Sequence, residues 1–92
     1  MNEKTIKKVC ELFKRTIKLN ENAGPEFYYN FEFSGHTKQV DFVKRALPGY
    51  ESVIRVYSYL DKPELTVSLE DIEKLIAAEE KAQKEAREND LI

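Results

Sequence analysis

The chain is short of most residues that announce a chemistry. Its 92 residues include one cysteine, one histidine, three glycines and three prolines. A single cysteine, Cys10, closes no intramolecular disulfide, and secreted domains this small usually carry several, so a reducing cytoplasm is expected. Cys10 and His36 are too few for a zinc centre. Cys10 also falls on an apolar helical stripe, where it reads as a small core residue, and His36 reads as a solvated hairpin residue. Gly24, Gly35 and Gly49 are scattered rather than gathered into a phosphate-cradling loop, which argues against nucleotide hydrolysis. No segment approaches the roughly 18 apolar residues of a membrane span, and the first eight residues alternate charge without an apolar stretch, so neither a span nor a secretion signal is expected.

What remains is an ordinary globular composition, 41% hydrophobic and 35% charged, which folds unaided. One small domain, residues 1–92, has room for a single core and too little for a deep enclosed active site. The expectation is therefore a protein that is not an enzyme and takes no cofactor. The adjacent carboxylates Glu70 with Asp71 and Glu79 with Glu80 sit in a helix's first turn and on its exposed side, where acids favour the dipole or solvate a surface. Fifteen bases oppose 17 acids, but unevenly. Residues 1–22 carry six bases against three acids, whereas residues 67–92 carry four against eight. Two amphipathic helices with solvated outer faces account for that gradient, which also steers a charged partner.

Hydrophobic periodicity predicts a first helix over residues 3–20, with Asn2 or Thr5 as cap and Ile6, Val9, Cys10, Phe13 and Ile17 as its buried stripe. From Phe27 the period becomes two. Phe27, Tyr29, Phe31 and Phe33 face one way, and Tyr28, Asn30 and Glu32 the other. Residues 34–37 form a turn in which Gly35 supplies a positive φ, and Val40 and Phe42 resume the alternation in a second strand. Pro48-Gly49 reverses the chain again before a third strand over residues 52–60, with Ile54, Val56 and Leu60 inward. Ser68 and Asp71 form a capping box for a second helix, with Val67 and Ile72 as a hydrophobic staple. Leu69, Ile72, Leu75 and Ile76 are its buried face. The charged stretch 79–92 is expected to project or fray. The sum is an α+β fold in the order α-β-β-β-α, a three-stranded antiparallel meander with both helices on one face.

That arrangement leaves the second sheet face open, carrying Tyr28, Arg45, Arg55, Tyr57 and Tyr59. Tyr and Arg are enriched at binding hot spots, which makes these five the expected contacts to a protein partner. An acidic patch of Glu70, Glu73, Glu79 and Glu80 is a second expected contact, suited to a basic, nucleic-acid-binding cleft of a larger protein. Lys7, Lys8, Lys14, Arg15 and Lys18 with stacking tyrosines are the alternative, a nucleic-acid surface, and a homodimer through the open sheet is a third.

The element order, with Pro25-Glu26-Phe27-Tyr28 and Gly35-His36, resembles a double-stranded RNA-binding domain. In that family the second helix opens with lysines that grip phosphates, whereas this chain has Ser68-Leu69-Glu70-Asp71-Ile72-Glu73, and acids there repel a nucleic-acid backbone. Asn30-Phe31-Glu32-Phe33-Ser34-Gly35-His36 through Val40-Asp41, then Pro48-Gly49-Tyr50 and Tyr59-Leu60-Asp61, resembles hairpins of small proteins from phages and mobile elements of Gram-positive bacteria, which often have Trp where this chain has Tyr50. That resemblance implies a compact inhibitor of a host protein, of the anti-defence or anti-CRISPR kind.

Overall fold

Capping chemistry sets both helix starts. Asn2 accepts the Thr5 N–H at 2.8 Å and opens α1, Glu3–Asn22. Its end comes where Ala23 turns extended, just ahead of Gly24-Pro25. Ser68 and Asp71 exchange two 3.1 Å bonds, the Asp71 N–H to Ser68 Oγ and the Ser68 N–H to Asp71 Oδ2, and open α2, Leu69–Asp90. Between them run β1 Phe27–Ser34, β2 Gln39–Ala46 and β3 Glu51–Tyr59, followed by a 3-10 turn at Pro63–Leu65. This computed structural model describes residues 1–90. Leu91 and Ile92, the end of the segment expected to project, lie outside the described residues.

The strands form one antiparallel sheet in the order β1-β2-β3. The α+β order and the three-stranded meander agree with the patterning. Phe31 opposes Phe42 and Phe42 opposes Val56, so these side chains share one face. That face meets Leu12 and Leu19 of α1 and Leu69, Ile72 and Ile76 of α2 in one core, with Val9, Ile54, Val56, Leu60, Val67 and Leu75 packed against it. The tight turns differ from expectation in one respect. No glycine has a positive φ; the left-handed positions are Lys38 (φ 52°) and Tyr50 (φ 58°), so the first hairpin turns at its last residue rather than at Gly35.

The buried stripe of α1 is the main correction. Leu12, Thr16 and Leu19 are buried, and Ile6, Cys10, Phe13 and Ile17 are exposed, Phe13 by 49% and Ile17 by 44%. Cys10 is therefore not a core residue. At about 100° per residue the two stripes lie about a third of a turn apart, and a helix lying on a single sheet buries only one of them. Polar partners select which. Lys8 Nζ meets Glu73 at 2.8 Å, and Arg15 meets Glu80 at 2.6 Å and Glu73 at 3.2 Å, joining α1 to α2. At the C-terminal end, Asn20 Nδ2 donates to the Tyr29 carbonyl at 2.8 Å and Asn20 Oδ1 accepts the Tyr29 N–H at 2.7 Å. Gln83 Nε2 donates to the Leu19 carbonyl at 2.9 Å, so α2 stays tied to α1 well past Ala78.

This rotational setting is testable by denaturant unfolding. Leu12→Ala is expected to cost about 2–5 kcal/mol, as for a fully buried leucine, and Ile17→Ala about 1 kcal/mol or less. Equal or reversed costs would mean that α1 is rolled the other way.

Candidate functional site

Four apolar side chains, Ile6, Cys10, Phe13 and Ile17, run along the outer side of α1. The sheet extends this surface. Phe13 meets Phe31 edge-on with ring centres 6.2 Å apart, and Phe33, expected inward by strand alternation, is 44% exposed because the hairpin end of β1 runs beyond the core. Together Met1, Ile6, Val9, Cys10, Phe13, Lys14, Phe31 and Phe33 line a groove of about 400 Å³. The adjoining sheet edge is open there too. The Tyr29 N–H and carbonyl turn away from β2 to meet Asn20, so alternation turns those of Phe31 and Phe33 outward as well. A contiguous apolar groove on a small domain is the kind of surface that marks an interaction site.

Helical and strand periodicity alone places these side chains in the core, so the groove is not legible from it. The available signal was Leu12 and Leu19, a second apolar set seven residues apart, with uncharged Thr16 between them. A helix with two apolar stripes keeps one for something other than its own sheet.

The five expected sheet residues do share the open face, but they do not converge. Tyr28 stands opposite Arg45 at one end, edge-on to Tyr50 with ring centres 6.0 Å apart. Arg45 is committed to the β2-β3 turn through the Tyr50 carbonyl and Ser52 Oγ, both at 3.2 Å. Tyr57 and Tyr59 pair edge-on, 5.7 Å apart, toward the other end of β3. Arg55 lies between, opposite Val43, beside a small depression of about 90 Å³ shared with Asn30, Glu32 and Asp41. The tyrosines thus form two separate clusters with a mixed-charge centre.

Three of the four expected acids are used within the molecule. Glu73 and Glu80 hold Lys8 and Arg15. Glu79 meets Lys44 Nζ at 2.6 Å and accepts the Tyr29 hydroxyl at 2.9 Å, while Lys44 also lies 4.3 Å from the Phe27 ring centre. Burial first, then the bond to Glu79, pushes the Tyr29 hydroxyl far above its ordinary pKa. Lys44 occupies a core-facing position of β2, where in the sequence it reads as an interruption of the apolar alternation. Glu70 alone of the four acids is exposed and has no ion-pair partner among the described residues. A basic cleft would compete with Lys8, Arg15 and Lys44 for the rest. The same pairing removes Lys8 and Arg15 from the basic face of α1, leaving Lys7, Lys14 and Lys18 exposed. No cluster of three or more metal-ligating side chains exists among the described residues, and no helix among them is long and apolar enough to cross a membrane.

No protein-family model matches the chain, and no curated protein or solved structure matches it either.

The clamp between the helices has a pH signature. The hydrogen bond from Lys8 holds the Glu73 carboxyl below its ordinary pKa of 4.5, against a smaller opposing effect of desolvation and with help from the charges of Lys8 and Arg15. A carboxyl with a depressed folded pKa stabilises the fold fully above its unfolded value, and that contribution is lost as pH falls through the folded value. The thermal midpoint is expected to drop below about pH 4.5. Glu73→Gln is expected to start lower at neutral pH and to lose less on acidification. An acid limb identical in both proteins would assign the loss to other groups, such as Asp71, whose carboxyl is lowered by the Ser68 hydrogen bonds.

Proposed function

We propose that this protein is a binding module that docks another protein against the outer face of α1 and the hairpin end of β1, and acts by occupying that partner's surface. One observation carries the reading: Ile6, Phe13 and Phe33, each more than a third exposed, line one apolar groove, and exposed Ile17 follows on the same side of α1, although the fold has a core without them. Fully burying side chains of this size stabilises an association by roughly 1.5–3 kcal/mol each, before the cost of immobilising the partners is subtracted. The narrower reading, an inhibitor from a phage or mobile element that disables a host protein, draws on the hairpin resemblance of residues 30–61 and on no other observation.

The open sheet face is the second reading, favoured by Tyr57, which is 45% exposed beside Tyr59 and Arg55. One experiment separates the two readings. The full-length protein, Phe13→Glu, and Tyr57→Ala with Tyr59→Ala are used as bait against nuclease-treated lysate of the source cells, with thermal midpoints measured in parallel. A stoichiometric protein is expected to be held by the native bait and by the double tyrosine variant and to be lost with Phe13→Glu, whose midpoint stays within a few degrees of native. Loss with the tyrosine variant alone transfers the site to the sheet. A ligand that disappears on nuclease treatment overturns the protein-docking reading in favour of nucleic acid.

A further inference from the structure

We infer that the occupant of the α1 groove is an amphipathic helix of another protein, with apolar anchors along one side and acidic side chains beside them. The inference rests on the docking reading above and names the partner's chemistry. Three features of α1 support it.

The exposed positions Ile6, Cys10, Phe13 and Ile17 are spaced four, three and four residues apart. This is the spacing that presents one seam to a second helix, and it runs about 16 Å at 1.5 Å per residue. Phe31 and Phe33 wall the groove on the sheet side, so a rod fits better than a flat surface. An added strand would find only the outward backbone groups of Phe31 and Phe33, about 7 Å of edge, before reaching Asn20.

Directly beside this seam stand three lysines. Lys7, Lys14 and Lys18 each follow a seam residue in sequence, all are exposed, and none meets an acid among the described residues. The two basic residues on the other side of α1, Lys8 and Arg15, are by contrast held by Glu73 and Glu80. The middle of the apolar surface is therefore bordered by lysines that hold no ion pair, with the exposed acids Glu3 and Glu21 at the two ends of the same side, in a molecule whose net charge is -2.

Charge also decides between a foreign helix and a second copy. Two copies pairing antiparallel along the seam, Ile6 against Ile17 and Cys10 against Phe13, would set Lys7 of each beside Lys14 of the other. Like charges so placed oppose association, whereas acidic side chains on a partner helix are attracted and keep its orientation.

The test uses two synthetic, fluorescently labelled helical peptides, each with leucines at the same spacing, one flanked by glutamates and the other by lysines. Fluorescence anisotropy is followed as full-length protein is added. The glutamate peptide is expected to bind with a dissociation constant on the order of micromolar and the lysine peptide about tenfold more weakly or not at all. Lys7→Glu with Lys14→Glu, both on exposed positions, is expected to invert that preference, and Phe13→Glu to weaken the glutamate peptide at least about tenfold. Equal binding of the two peptides, or none, overturns the inference. If none binds but Phe13→Glu still releases a captured protein, the docking reading stands and only the acidic helix falls. A dimer in light scattering that Phe13→Glu dissociates would make a second copy the occupant, and binding to anionic lipid vesicles that Phe13→Glu abolishes would make it a membrane surface. Either result overturns the inference.

Discussion

Everything distinctive about this molecule follows from the rotation of α1 about its own axis. The helix carries two apolar stripes, Leu12 with Leu19 and Ile6 through Ile17, and the sheet has one face to offer them. Apolar area alone does not select the observed setting, since the exposed stripe of Ile6, Cys10, Phe13 and Ile17 is the larger of the two. The polar contacts discriminate well. In the observed setting Lys8 and Arg15 reach Glu73 and Glu80, and Asn20 closes the open edge of β1 at Tyr29. Rolling the helix by a third of a turn would part all of these groups at once. Individually, half-exposed ion pairs contribute little, but here several share the same two acids and act as one clamp.

The clamp links packing to function through charge as well as shape. By taking up Glu73 and Glu80 it removes two acids from the surface of α2, on which Glu70, Asp71, Glu85 and Glu88 stay exposed. By taking up Lys8 and Arg15 it leaves the remaining lysines of α1 on the side of the apolar seam. Glu79 is removed in a different way, drawn under the sheet by Lys44 and the Tyr29 hydroxyl. Three of the four acids of the patch that the linear charge distribution predicts are thus engaged internally, and the outer side of α1 shows an apolar seam with lysines beside it. Several side chains of the sheet's own outer face are engaged with one another: Arg45 holds the turn, Gln39 donates to Asp41, and the tyrosines pair edge-on.

Much of the fold is legible in the sequence because it depends on local rules. The alternation of Phe27 to Phe33, the Val40 and Phe42 pair, and the Ser68 and Asp71 capping box each depend on neighbours within a few residues, and each leads to the element observed. The site is less legible. Periodicity reports that Ile6, Cys10, Phe13 and Ile17 share a side of a helix, but it does not report which side meets the sheet. Nor does it reveal that Lys44 faces a carboxylate from the other end of the chain, or that the positive φ falls on Lys38 and Tyr50 rather than on a glycine.

The sequence by itself thus determined the element order, the antiparallel meander, both helix starts and the absence of disulfide chemistry within the chain, because caps, turns and two-residue or helical periods are properties of short segments. Only the tertiary structure decided which of the two stripes of α1 is buried and which charges remain unpaired. Those outcomes hinge on contacts between residues 58 to 65 positions apart, such as Arg15 with Glu73 and Glu80, and no local pattern encodes them.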